Sequence, residues 1–487
     1  MRITRLQILV FMQIWLALTA VVAEAFDFTE QLFGPPSTLS IAVESINPDT
    51  GEVVVNGADS QRPGIPFTWS WGDGSAPENG WFPRSHTYTN KTKNYIITVT
   101  SHYTGGGTDT AETLARFTEP NNSPVSLPFD IEVTIPDSDV SLASRMPGYY
   151  PPETLTYFDD SFFTIVPKTT IEYVLTVAAY VQKDLVNNNV ADVNGGFKQV
   201  VLRDPAFGGM YSLWFTSPVS FGAGDYGFQG TIEYLSFMHE IGHNFTLNSP
   251  ADYYYGGKID GCANAIYSES MALIFQHATA YEIINNAEFY GLSEDIVYDI
   301  KQSAISSMQL VRSKYEDYVD SGANFYSWNN PGTPEDETFG TFMTIAYKFF
   351  EQAENSGEGY RIPLKRMMKL LQLFNQDLKN RYDRLHNNPA ADTFRSTLMV
   401  AALSYGFSTD LRPDFEALNF PIDDATYSEL ITAAPELADL DNDGLVTLSD
   451  LGIMCEDWLD TGPQINSDLN DDKCTNFLDF AELALFW

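Results

Sequence analysis

The sequence predicts a modular, multi-domain protein: a β-sandwich, then a larger α+β domain, then a small α-helical domain built on a pair of similar loops. Three observations carry this. Between Ser37 and Phe117, short alternating strands are separated by Gly, Asn, Asp and Pro clusters. After about Thr231 the apolar spacing changes to the 3.6-residue period of helices. From Asp439, the final 49 residues hold twelve acidic residues against one basic residue, Lys473. A length of 487 residues suits about three domains, and 44% hydrophobic with 14% aromatic residues excludes wholesale disorder.

The charge narrows the partners. A net charge of −38, from 27 basic and 65 acidic residues, repels phosphate backbones and anionic lipid, which argues against a nucleic-acid partner. Three cysteines are too few for a disulfide scaffold, and an odd number leaves at least one thiol unpaired within the chain.

The first segment, residues 1–25, reads as a secretory leader. Arg2 and Arg5 precede a mostly apolar run from Ile8 to Val22, and Ala23-Glu24-Ala25 offers small residues at the positions a signal peptidase reads. The expectation is a secreted or cell-surface protein with no membrane span once the leader is removed.

Residues 37–118 form the predicted sandwich, with strands such as Gly51 to Val55 and Tyr95 to Thr100. The Trp69-Ser70-Trp71-Gly72-Asp73-Gly74-Ser75 run followed by His86-Thr87-Tyr88 resembles the PKD domain, an immunoglobulin-like module of extracellular proteins. The Gly-Asp-Gly triplet makes sense as a tight turn with positive φ. His86 and His102 fall in strands and read as structural rather than as ligands.

After a linker at Thr118 to Pro124, residues 125–430 form the second domain. A helix-period stretch from Thr170 to Val186 precedes predicted strands at Gln199 to Leu202 and Tyr211 to Phe215. Amphipathic helices follow near Ser270 to Ile284, Ile296 to Val319, Phe339 to Gln352, Leu364 to Tyr382 and Thr393 to Leu403.

Thr231 to Phe245 reads as a helix carrying His239-Glu240-Ile241-Gly242-His243. Four residues is just over one turn, so His239 and His243 stand one above the other and can meet a single zinc ion. Glu240 is displaced by about 100° around the axis, within reach of a metal-activated water as general base. The apolar flank of Leu235, Phe237, Met238, Ile241 and Phe245 predicts a buried helix, and buried imidazoles beside a carboxylate want a partner such as a metal.

A third protein ligand is needed, and no histidine lies near after His243. Glu269, at the start of the next helical pattern, is the choice, with Cys262, Glu282 and His277 as rivals. Here the chain resembles the gluzincin metallopeptidases, in which a Glu on a following helix completes the site; the intervening 25 residues suit their enhancin-like, mucin-degrading branch. Phe407 to Phe415 with Leu418 to Ile422 resembles the end of that branch's helical region. The resemblance implies a protein or glycoprotein substrate, an extended peptide aligned on the edge strand at Tyr211 to Phe215, and a Tyr or His donor to the tetrahedral intermediate. Tyr281, Tyr326 and Tyr347 stay open for that donor, and His277 is open as donor, as a group behind the ligands, or as a structural residue.

Residues 436–487 form the third domain. Asp439, Asp441, Asp443 and Asp450 occupy positions 1, 3, 5 and 12 of a loop with Gly444 at 6 and Leu445 at 7, an oxygen-lined calcium loop. Asp468, Asn470, Asp472, Cys474, Asn476 and Asp479 repeat this register 29 residues later, with Lys473 in place of the turn glycine. Each loop leads into an apolar helix, Leu451 to Leu459 and Phe480 to Trp487, and the pair resembles a dockerin domain, which implies a cohesin-like or cell-surface partner. Cys455 and Cys474 leave their connectivity open.

The resulting expectation is a secreted zinc metallopeptidase with a calcium-binding terminus. The alternative is a non-catalytic, calcium-dependent adhesion or scaffold protein with a degenerate metal site, and a zinc hydrolase acting on another bond is the third reading.

Overall fold

The computed structural model describes residues 37–127, 131–138, 155–164, 166–185, 197–205, 210–212, 219–221, 234–248, 269–325, 335–371, 373, 378, 381, 389–441, 445–462, 465, 467–470 and 472–486. The expected leader, Cys262, Tyr326, Asp443 and the second half of the strand expected at Tyr211 to Phe215 lie outside the described residues. These residues form a mixed α and β molecule with three main apolar cores and a separate small cluster of Leu155, Val200 and Leu202.

The first core lies between two antiparallel sheets. Their strands are β1 (Leu39–Asn47), β2 (Glu52–Asp59), β3 (Phe67–Ser70), β4 (Glu78–Gly80), β5 (Arg84–Thr87), β6 (Tyr95–His102) and β7 (Thr108–Ala115), in the orders β1-β2-β5 and β4-β3-β6-β7. Alternation drives the packing: Tyr95, Ile97 and Val99 of β6 point inward with Trp69 and Trp71, while their neighbours face out. The predicted turn forms as expected. Gly72 and Gly74 have φ of 72° and 85°, and a Cβ on Gly72 would lie 2.4 Å from the Ile96 carbonyl oxygen. The His86 ring stacks on Trp71 with centroids 4.8 Å apart and pairs with Asp73, while His102 pairs with Thr68, so both histidines are used inside the fold.

The second core is larger and mainly helical. Its sheet holds β8 (Ile131–Thr134), β9 (Phe197–Arg203), β10 (Met210–Ser212) and β11 (Val219–Phe221), ordered β10-β11-β9-β8. Strands β8 and β9 are parallel, so the chain between them must cross over, and helix α1 (Lys168–Leu185) lies on that path. Strand β10 is antiparallel to β11 and stands at the edge of the described sheet.

Helices follow: α2 (Tyr234–Asn248), α3 (Ser270–Asn285), α4 (Glu294–Asp320), α5 (Glu335–Ser356), α6 (Arg361–Leu371), α7 (Pro389–Gly406), α8 (Arg412–Ala417) and α9 (Asp424–Ala433). Helix α3 is buried on nearly all sides and serves as the hub against which α1, α2, α4 and α5 pack. Buried charges on it are paired: Glu282 bonds Tyr360 at 2.7 Å and Arg361 at 3.0 Å, and Arg361 also reaches Asp184 of α1 at 3.2 Å. Among the described residues no helix is long and apolar enough to cross a membrane.

The third core is small, formed by Ala438, Met454, Leu469 and Leu483 around α10 (Leu448–Glu456) and α11 (Phe477–Ala484). Both helices open on capping boxes, Thr447 with Asp450 and Asn476 with Asp479, so the repeated sequence produces repeated local structure. Cys455 and Cys474 carry free thiols.

Candidate metal centres

Helix α2 carries the first centre on its buried face. Tyr234, Leu235, Phe237, Met238 and Ile241 are each no more than 2% exposed, which fixes the helix rotation. Gln182 of α1 donates to the Met238 carbonyl at 2.7 Å and holds the same turn. The helix crosses α3 where both are smallest: a Cβ on Gly242 would stand 3.4 Å from the Ala272 Cα and 3.3 Å from the Phe275 Cβ. One turn before Ala272, Glu269 leads into α3 and is carried up to the two imidazoles.

His239 Nε2 lies 3.1 Å from Glu269 Oε2, and His243 Nε2 lies 3.7 Å from Glu269 Oε1. Two ligands each about 2.1 Å from a tetrahedral ion are separated by about 3.4 Å, so these distances bracket what one zinc asks. Donor atoms of His239, Glu240 and His243 all lie within 4.8 Å of one another. Two imidazoles and a carboxylate are a borderline-soft set that suits zinc, and the donors fit such an ion.

The imidazoles and the carboxylate act on one another's charge. Burial works against the charge on Glu269, but the His243 and His239 rings hold its carboxyl down at about 2. Burial likewise works against charge on His239, yet Glu269, with Glu240 and Gln276, raises its pKa above the usual histidine range. The side chains of His239 and Glu269 remain 18% and 19% exposed.

Of the rival ligands, Glu282 is engaged by Tyr360, Arg361 and Asn286, and Cys262 lies outside the described residues. His277 is wholly buried, its Nδ1–H donating to the Leu273 carbonyl at 2.9 Å; burial pushes its pKa down to about 4, so it stays neutral. Tyr347 stacks on Tyr315 with centroids 4.0 Å apart, and Tyr281 is buried against Phe350 and Tyr360. Strand β10 runs beside α2.

One residue of this centre escaped the sequence reading. Gln276 Oε1 accepts from His239 Nδ1 at 2.9 Å, and its Nε2 donates to Ser307 Oγ of α4 at 2.8 Å. The available signal was its spacing: seven residues after Glu269 on one helix is nearly two full turns, hence the same face.

The two C-terminal loops gather their acids as the register implies. Carboxylate oxygens of Asp439, Asp441 and Asp450 lie within 4.8 Å of one another, as do those of Asp468, Asp472 and Asp479. The loops share internal bonding: Asp450 accepts from the N–H groups of Leu440, Asp441 and Thr447, and Asp479 from those of Leu469, Asn470 and Asn476. Asn470 Oδ1 accepts the Asp472 N–H, and Asp472 Oδ1 that of Cys474. Asn476 spends its side-chain oxygen capping α11, and Leu445 is exposed. Lys473 holds φ 65°, the left-handed conformation for which a glycine was expected. An all-oxygen cluster with several carboxylates suits a hard cation such as calcium.

No family model and no curated protein matches this chain. A solved structure, described as that of a functionally unknown conserved protein mutant from Bacillus anthracis strain Ames, is similar over 83% of this chain and 75% of its own, at 12% identity and a TM-score of 0.35. A likeness at that level assigns neither fold nor function.

Proposed function

We propose that the chain is a secreted or cell-surface zinc-dependent endopeptidase of the gluzincin kind, acting on extracellular proteins, glycoproteins included. The observation that carries this is the convergence of His239, His243 and Glu269 from two crossing helices, with Glu240 buried beside them. When bound, zinc supplies Lewis acidity that polarises a scissile carbonyl and acidifies the attacking water. Glu240 accepts that water's proton and returns it to the leaving amine. Strand β10, an edge beside α2, supports an extended peptide adding to the sheet.

The flanking units are a PKD-like sandwich and a dockerin-like module. Asp439, Asp441 and Asp450 in one loop and Asp468, Asp472 and Asp479 in the other would hold calcium beside α10 and α11, and Leu448, Phe477, Leu478 and Leu485, each 60–77% exposed, offer apolar surface to a cohesin-like or cell-surface partner.

The test joins metal content to hydrolysis. Wild type is expected to hold one zinc, lost in His243→Ala and Glu269→Ala, and to cleave an unstructured protein or a mucin. Glu240→Gln is expected to keep zinc while its rate falls by about 10²–10⁴, the range for losing a general base. Calcium without zinc in wild type would leave the scaffold reading; zinc retained only in Glu269→Ala would mean another third ligand.

A further inference from the structure

We propose that Gln276 is a positioning residue for the metal centre, held in its working orientation by Ser307, an inference that rests on the zinc reading above. The ring of His239 can present Nε2 to an ion only if its proton sits on Nδ1. Gln276 Oε1 lies 2.9 Å from that Nδ1 and accepts from it. An amide can turn over, however, and a turned Gln276 would offer its NH₂ to Nδ1, driving the ring proton to Nε2 where the metal belongs.

Ser307 anchors the far end of that amide. Its Oγ accepts from Gln276 Nε2 at 2.8 Å while the amide oxygen faces the histidine. Gln276 is itself only 5% exposed, which removes water as an alternative partner and makes the loss of either bond costly. Helix α4 thereby becomes part of the metal centre through one hydroxyl, although none of its residues is a candidate ligand.

The experiment measures zinc affinity by competition with a chromogenic chelator, in saturating calcium, for wild type, His239→Ala, Gln276→Leu, Gln276→Glu and Ser307→Ala. Melting of each zinc-free protein is recorded alongside. Gln276→Leu is expected to weaken zinc binding about 10- to 100-fold while the zinc-free protein melts near wild type. Gln276→Glu, which keeps an acceptor at Nδ1, is expected to restore wild-type affinity or exceed it, a rescue that a packing role would not give. Ser307→Ala, at a part-exposed position, tests the second link if the leucine variant misfolds, with a loss of about three- to tenfold expected as the amide loses its anchor. Wild-type affinity in both Gln276→Leu and Ser307→Ala, with zinc lost in His239→Ala, overturns the positioning role alone. Zinc retained in His239→Ala overturns the metal reading and this inference with it.

Discussion

Asp73 and Glu269 are single carboxylates whose surroundings set their chemistry, and both were recognisable in the sequence for different reasons. Asp73 sits between two turn glycines, a local signature, and its carboxylate accepts from the Ser75 N–H at 3.0 Å and pairs with His86 Nε2 at 2.8 Å. Burial works against its charge, but the bonds from Ser75 and His86 prevail and hold its pKa near 2. The sign follows: a carboxyl held below its unfolded value near 3.9 stabilises the sandwich above that pH, and the contribution is lost as pH falls toward 2. Asp73→Asn should flatten that acid dependence and weaken the sandwich near neutrality. Near-UV circular dichroism of Trp69 and Trp71 during acid titration of the full chain measures it; identical slopes in both proteins below pH 4 would rule the pair out. Glu269 was legible because a helix start was, whereas Gln276 was not singled out: its partners come from two other helices, and sequence spacing says nothing of what a tertiary crossing brings opposite a side chain.

At the scale of elements, periodicity located helices α1 to α7 and the two module helices, with ends displaced by a few residues where fraying and capping decide, except that the helix expected at Leu364 to Tyr382 is described as α6 only to Leu371, most of the rest lying outside the described residues. What periodicity could not reveal is the contact distance between helices. The Gly242 position between His239 and His243 has a specific packing meaning: α3 lies directly against it, with Phe275 Cβ 3.3 Å and Ala272 Cα 3.4 Å from the ideal Cβ position. A single methyl there calls for a shift of tenths of an ångström, while a branched side chain must push α3 away. Gly242→Val is therefore expected to cost about 1–3 kcal/mol as overpacking and, by carrying Glu269 away from His239 and His243, to lower zinc affinity at least about tenfold. Thermal unfolding and chelator competition read the two effects separately. A destabilised variant with wild-type zinc affinity would show that Glu269 does not depend on this crossing.

In the whole molecule, the second unit is gripped by both neighbours through buried charge. Arg116 of the sandwich reaches Asp295 and Asp299 at the start of α4, and Asn94 reaches Asp295 at 2.8 Å. At the other end, Lys369 of α6, only 1% exposed, donates to the main-chain carbonyl of Asp439, the first residue of the first acidic loop, and Lys473 of the second loop reaches Asn286 at 3.1 Å. Composition marked the tail as a separate acidic module but gave no hint that a lysine some 70 residues upstream lies under it, since α6 reads from sequence as one more amphipathic helix. Burial pulls the Lys369 pKa down to about 8 against the opposing charges of Asp439, Asp450 and Asp441. Lys369→Met keeps the volume of the stem but removes the cation and its bond, a loss of about 1.5–3 kcal/mol for a buried charged hydrogen bond, or at least about a tenfold rise in the undocked population. Calcium bound in the first loop, as proposed above, would neutralise the same acids. The variant is therefore expected to be cut between α9 and α10 about tenfold faster than wild type in chelator, and to regain protection when calcium is added. Limited proteolysis with mass mapping reads this directly; equal cleavage rates in chelator would mean that Lys369 does not hold the module in place.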